Sequence, residues 1–473
     1  MSSPTTRWPK QIKYIIGNEA CERFSYYGMT GILQGYITGK IIDGGLARTE
    51  DFSTEVIHIF KSVNYVTPLL GAWLSDKLIG RYNTIFWVSL FYCAGHGVLA
   101  CSDFFSSHPH GKLYCLFVGL TLIAFGSGGI KPCVSAFMGE QFRADQSHLM
   151  QKAYGAFYWA INFGSFFSFL VVPWVREHHG YSLAFGVPGI LMAIATFIFW
   201  RGKRFYVFVP TNREIKHAGF FQVFFTALFA KREAGKNFWA AARARFSENE
   251  VAAAKSVLPI LFVFAMIPMF WALYDQTNST WVSQGRKMSN VNILGLDVGA
   301  EQMQSLNPLI IMVLVPIFTL LLYPRLGRFA SPLKRMSYGL FLAAASFVLV
   351  ALLQQRIEAG AQLSILWQTW PYVVVTAAEV LVSTTGLEFA FREAAPEMKS
   401  LIMSFWLLTV AAGNLFVALL TKFLPQDGTN GGDASVSTGR FLLYAGMMFG
   451  VAILFSLIAT TYHYRDKAAA EGR

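Results

Sequence analysis

A chain of 473 residues that is 54% hydrophobic and 16% aromatic but only 14% charged, with mean hydropathy +0.43, excludes a soluble globular domain and a disordered chain alike. Its net charge of +12 would suit nucleic acid, yet the basic residues cluster between apolar stretches, as a membrane topology signal does, and no nucleic-acid recognition fold accompanies them. The five cysteines, Cys21, Cys93, Cys101, Cys115 and Cys133, match no metal-ligand spacing and read as small buried hydrophobes.

A helix that crosses a bilayer needs about 20 apolar residues. Such segments fall near 14–38, 55–76, 84–103, 112–138, 153–174, 182–201, 256–282, 304–323, 335–355, 366–390, 399–422 and 438–462. The reading is an all-α membrane protein of about twelve spans: a six-helix bundle over 1–202, a basic linker over 203–255 and a second six-helix bundle over 256–473. Arg7, Lys10 and Lys13 precede the first span without a small-residue cleavage site, so that span reads as a retained helix. Most of the 39 Lys and Arg fall on the side of the two termini, which predicts cytoplasmic termini and leaves Arg23 and Lys131 inside the membrane. In the linker, Phe220, Phe221, Phe224, Phe225, Phe229 and Trp239 alternate with basic residues. Two readings stay open for it, an amphipathic helix on the anionic inner leaflet or a solvated cationic connector. Gly80-Arg81 after span 2 recurs as Gly327-Arg328 after span 8, 247 residues on, as parallel repeats require.

Span 1 places Glu19, Glu22, Arg23, Tyr26 and Tyr27 at i, i+3, i+4, i+7 and i+8, one face of a helix. A charge at mid-bilayer costs about 2.5–3.5 kcal/mol, so this stripe must face polar partners. Span 2 offers His58 and Tyr65, and span 4 offers Lys131 in Gly128-Gly129-Ile130-Lys131-Pro132, a natural counter-ion for the span 1 acids. Span 5 carries Tyr158 and Asn162, span 7 Trp271 and Asp275, and span 8 Asn307. Span 10 has Glu379 with Ser383 one turn on, and span 11 has Trp406 and Asn414. A structural ion-pair cluster is the competing reading, but buried pairs rarely stabilise more than apolar replacements, and function is the default for intramembrane ionisable groups.

The runs Glu19-x-x-Glu22-Arg23-Phe24 with Tyr26-Tyr27-Gly28, Gly128-Gly129-Ile130-Lys131-Pro132 and Phe157-Tyr158-Trp159-Ala160-Ile161-Asn162-Phe163-Gly164-Ser165 closely resemble the proton-dependent oligopeptide transporter family. Leu306-Asn307-Pro308, Glu379 and Trp406 extend the likeness over nearly the whole chain, and Asp76-x-x-x-Gly80-Arg81 resembles the signature turn of the major facilitator superfamily. The resemblance implies the major facilitator fold and proton-coupled import of di- and tripeptides, with the proton as coupling ion and no other cofactor. On that reading Arg23 and Lys131 meet the peptide carboxylate and Glu379 the ammonium. Asn162 and Asn307 hydrogen-bond the termini or the amide, Ser383 adds a polar contact, and Tyr26, Tyr27, Tyr65, Tyr158, Trp271 and Trp406 line side-chain pockets. Glu19, Glu22, His58 and Asp275 carry or gate the proton.

One position departs from the pattern. Family members commonly carry an arginine two residues after the span 1 glycine, paired with an acid on span 7; here that position is Thr30, while the acid survives as Asp275. His58 is the replacement partner this reading proposes for Asp275. A carrier for another small zwitterion or anion, such as an amino acid or nitrate, stays open as an alternative. An intramembrane enzyme lacks its signatures here: no His-rich metal motif, Gly-x-Ser-x-Gly elbow or phosphate loop occurs. The remaining expectations are a monomer in a bacterial inner membrane, in contact with lipid and not with nucleic acid.

Overall fold

The structure, a computed structural model, describes residues 8–462 and 464 apart from 106–107, 109, 144–145, 211–218, 231–237, 327–330 and 425–434. The first half begins with α1 (Ile12–Thr38), α2 (Glu50–Leu74), α3 (Arg81–Ala100) and α4 (Gly111–Gly139). Thr49 caps α2 by accepting the Phe52 amide at 3.1 Å. The helical run Ser147–Gly202 has 56 residues, far longer than a bilayer is thick, and Gly180 at φ +81° breaks it into α5 (147–179) and α6 (181–202).

The second half is less regular. Helix α7 is built from Glu248–Phe264, Ile267–Tyr274 and Thr280–Gly285, and bends by 43° after its first piece. Helix α8 runs Leu306–Ile317, a π turn Phe318–Leu322 and Tyr323–Leu326. Then come α9 (Pro332–Glu358), α10 (Thr369–Glu379, a π turn Val380–Thr384, and Thr385–Glu393), α11 (Lys399–Phe423) and α12 (Thr438–Thr461). Between α7 and α8 a hairpin pairs β1 (Val291–Ile293) with β2 (Leu296–Val298) across Leu294 and Gly295, both at positive φ.

Among the described residues, seven helices are long and apolar enough to cross a membrane by themselves, one of them containing both α5 and α6, and the bent α7 makes an eighth. Helices α1 and α2 are long enough but diluted by buried polar groups: Asn18, Glu19, Glu22 and Gln34 on one, Ser53, His58, Lys61 and Asn64 on the other. Their polarity faces protein, which is where a membrane helix can carry it.

Two apolar cores form, one running from Ile12 to Tyr206 and the other from Phe220 to Phe455. Within the first, α2 and α4 touch backbone to backbone: a Cβ added at Gly71 would lie 2.6 Å from Gly129 Cα, and one at Gly128 would strike Thr67. Pro132 sits inside α4 without ending it. Arg81 ties the α2–α3 turn to the end of α4, pairing with Asp76 at 3.2 Å and with Glu140; its counterpart Gly327-Arg328 lies outside the described residues. In the linker, helix Phe220–Phe229 buries Phe220, Val223 and Ala227 against the second core and leaves Phe221, Phe225 and Phe229 exposed. This part of the linker is thus a docked apolar helix and not a solvated connector; Arg213, Lys216, Lys231, Arg232 and Lys236 lie outside the described residues.

Because backbone atoms cannot yield as a flexible side chain can, Gly71→Ala is expected to cost about 1–3 kcal/mol. A lowered thermal midpoint in detergent is the expected result, and an unchanged midpoint would contradict the close α2–α4 contact.

Candidate functional site

On α1 the predicted stripe closes on itself. Arg23 Nε lies 2.7 Å from Glu19 Oε1 and 3.0 Å from Glu22 Oε2. Both acids are at most 1% exposed, so two buried carboxylates share one guanidinium. Glycines set the helix down tightly: Gly28 meets Val172 and Gly31 meets Phe169, both on α5. Lys131 on α4 sits 4.4 Å from the centre of the Tyr26 ring and 4.6 Å from that of Tyr65. The sequence reading made Lys131 the counter-ion of the α1 acids. Arg23, one turn on from Glu19 and next to Glu22, takes both ion pairs, while Lys131 is held between two aromatic faces within electrostatic reach of Glu22.

The opposite pole belongs to the second half. Glu379 ends the first piece of α10, and its Oε2 accepts the Asn307 amide at 2.7 Å. Asn307, in the first turn of α8, also accepts from Tyr274 at 3.3 Å. Among the described residues, Glu379 has no cation within 4.0 Å, so its charge is held by neutral dipoles. Ser383 lies within the π turn that follows, Val380–Thr384.

Tyr26, Tyr27, Tyr65, Tyr274, Asp275 and Asn307 line one cavity, together with Thr30 and Lys61. Tyr27 is within electrostatic reach of both Arg23 and Glu379. Tyr158 is 41% exposed and within reach of Glu379, whereas the Asn162 amide donates back to the Tyr158 carbonyl of its own helix. Trp271 and Trp406 do not line that cavity; they pack perpendicular to each other at 6.3 Å in the second core, with Phe264 on Trp406.

The roof of the cavity carries a second ion pair. Lys61 Nζ on α2 donates to Asp275 Oδ1 at 2.6 Å and to Asn278 Oδ1 at 2.5 Å. Asp275 Oδ2 accepts Asn414 Nδ2 at 2.6 Å, and Asn414 Oδ1 meets His58 Nδ1 at 2.8 Å. The other ring nitrogen of His58 meets Ser279 Oγ at 2.9 Å. His58 therefore reaches Asp275 through Asn414, and the direct partner the sequence assigned to Asp275 is replaced by Lys61, one helical turn further along α2. The signal was present as a lysine inside an apolar stretch.

Further contacts seal the same end, remote from the termini. Gln34 donates to Ser283 at 2.5 Å, Gln304 donates to the Gly31 carbonyl at 3.0 Å, and Asp51 accepts the Ser435 amide at 2.8 Å. Glu301 pairs with Arg286 of its own half at 2.8 Å and with Arg176 of the other at 3.0 Å.

Removing one member of the buried Lys61–Asp275 pair strands the other charge, at a cost of about 3–5 kcal/mol. In a double-mutant cycle of Lys61→Met and Asp275→Asn, followed by unfolding in detergent, the double variant should be clearly more stable than the sum of the single losses predicts. Strictly additive losses would contradict the pair.

Comparison with known proteins gives the same picture along the chain. The POT family model matches residues 82–434. Peptide transporter family 1 of Drosophila melanogaster is 38% identical over 379 residues, covering 76% of this chain and 49% of that protein. Solute carrier family 15 member 1 of Homo sapiens is 36% identical over 382 residues, covering 74% and 52%. The chain spans about half the length of the curated relatives it matches. The solved structure of the POT family transporter PepTSo superimposes with a TM-score of 0.87 at 37% identity, over 96% of this chain and 99% of that one. Two six-helix halves in the major facilitator fold, the motifs on α1, α4 and α5, and a matching family model over most of the chain lead to one conclusion: this protein belongs to the POT family.

Proposed function

We propose that the protein is a proton-coupled symporter that imports di- and tripeptides by alternating access. The observation that carries this reading is the charge layout: cations Arg23 and Lys131 on one half and, on the other, Glu379, an anion without a cation partner among the described residues, each joined to one tyrosine-lined cavity through a residue that lines it, Tyr27 for Arg23, Tyr26 for Lys131 and Asn307 for Glu379. A short peptide is a zwitterion of fixed charge separation. Its carboxylate matches the first wall, its ammonium the second, and the aromatic lining tolerates varied side chains. A lone anion such as nitrate would leave Glu379 without its match.

Proton coupling follows from the same atoms. Glu19 and Glu22 face a single guanidinium, so one negative charge is in excess and one proton makes the cluster neutral. Protonation removes one of the two charges that hold Arg23 and frees its guanidinium for the substrate carboxylate. Peptide and proton then bind the same state better, and linkage makes each raise the affinity for the other. The sign is definite: peptide binding strengthens as pH falls. A peptide bridging the two halves draws them together, and the halves rock between a state sealed at the roof and one open there.

The conformation described here, sealed at the end remote from the termini, is on this reading the inward-facing one, with both termini cytoplasmic. The protein works as a monomer in a bacterial inner membrane, with the proton as its only coupling ion and lipid around it, and catalyses no covalent chemistry.

Labelled dialanine in proteoliposomes tests the proposal. An inward proton gradient is expected to drive accumulation; Glu22→Gln should lose that stimulation while retaining peptide exchange; and Glu379→Gln should weaken dipeptide binding by roughly tenfold or more, the worth of a charged hydrogen bond. No gradient-stimulated accumulation by the unaltered protein would overturn the reading.

A further inference from the structure

The Lys61–Asp275 pair has a polarity that a simple latch does not require. A latch works with the cation on either side of the seam. Here the cation stands on the first half and the anion on the second, the same order as Arg23 and Lys131 facing Glu379. Lys61 and Asp275 line the cavity together with Tyr27, which is within electrostatic reach of Arg23 and Glu379, and Asn307, which donates to Glu379. The chain thus holds two sets of charge that match a zwitterion.

Local geometry supports a binding role for the Lys61–Asp275 set. Helix α7 is interrupted at a 3₁₀ turn, Asp275–Asn278, followed by Ser279 at φ −131°, ψ −91°. That turn brings Asp275 and Asn278 to the same ammonium. Asn414 holds the second carboxylate oxygen of Asp275, so the anion keeps a neutral hydrogen-bonding neighbour on its own half once the pair parts. Thr30, small and bonded to the Tyr27 carbonyl at 3.2 Å, lines the same space on α1. When the sealed seam opens, Lys61 and Asp275 separate onto opposite walls of the entrance.

We propose that Lys61 and Asp275 form an outer capture subsite for the termini of a short peptide, the carboxylate on Lys61 and the ammonium on Asp275. It is occupied in the outward-open state before the peptide passes to Arg23, Lys131 and Glu379. Re-forming the ion pair releases the peptide to that other set and seals the roof behind it. The subsite rests on the symport reading, and it makes recognition from outside a two-step event.

The test is the charge swap, Lys61→Asp with Asp275→Lys, which rebuilds the latch with reversed polarity. Three quantities are read: the stability of the purified protein, dialanine binding to that protein in detergent, and the half-saturation concentration for uptake from outside the liposome. A capture subsite predicts that stability stays near that of the unaltered protein while external half-saturation rises roughly tenfold or more, beyond any change in binding to the purified protein. Return of external half-saturation to within about twofold would overturn the subsite and leave Lys61 a latch alone. If the swap does not fold, Lys61→Gln with Asp275→Asn keeps a hydrogen-bonded latch without charges, and the same rise or its absence decides. Failure of the unaltered protein to accumulate peptide would instead overturn the symport reading beneath the subsite.

Discussion

A guanidinium shared between two buried carboxylates on one helix is the constraint around which the first half is arranged. Arg23 with Glu19 and Glu22 puts three charges within the α1 span, where none could face lipid. The helix must therefore be walled by protein, and Gly28 and Gly31 let α5 approach to do it. The cluster is a poor device for stability, since a well-packed apolar replacement would do as well. It is a good device for exchange, because the arginine can trade a protein carboxylate for a substrate carboxylate as soon as one acid is neutralised. Two carboxylates facing one guanidinium leave one negative charge in excess, which on the proposed reading is the charge a proton neutralises.

The second half answers with irregular backbone. Helix α7 breaks where Asp275 and Asn278 converge on Lys61, and α10 loosens into a π turn directly after Glu379. Regular α-helix would direct these groups along one stripe, as α1 does. The break in α7 aims Asp275 and Asn278 at Lys61 on the other half, while Glu379 is met by Asn307 within its own, and such turns cluster at functional positions. The halves meet through short polar contacts at one end, the kind of interface that can part as a unit.

Much of this was legible in the residues alone. Apolar lengths placed twelve spans near where helices lie, and the helical spacing of Glu19, Glu22 and Arg23 predicted a single charged face. Pairing across helices was harder to read. Lys131 could be assigned to the α1 acids only by charge, since nothing local shows that Arg23 is closer or that Tyr26 and Tyr65 cradle the ammonium. Lys61 is not legible as the partner of Asp275, because His58 and Lys61 lie one turn apart on the same helix and spacing alone does not show which of the two meets the acid on α7. The π turn that contains Ser383 depends on tertiary packing and leaves no periodic trace.

The central claim, that substrate and proton are bound by one linked site, is met most directly by calorimetry. Dialanine binding to the purified protein, titrated in buffers of different ionisation enthalpy, reports the protons taken up per peptide bound. The account predicts net proton uptake in the unaltered protein and its loss in Glu22→Gln. Peptide binding with no proton uptake at any pH where the protein is folded would contradict it.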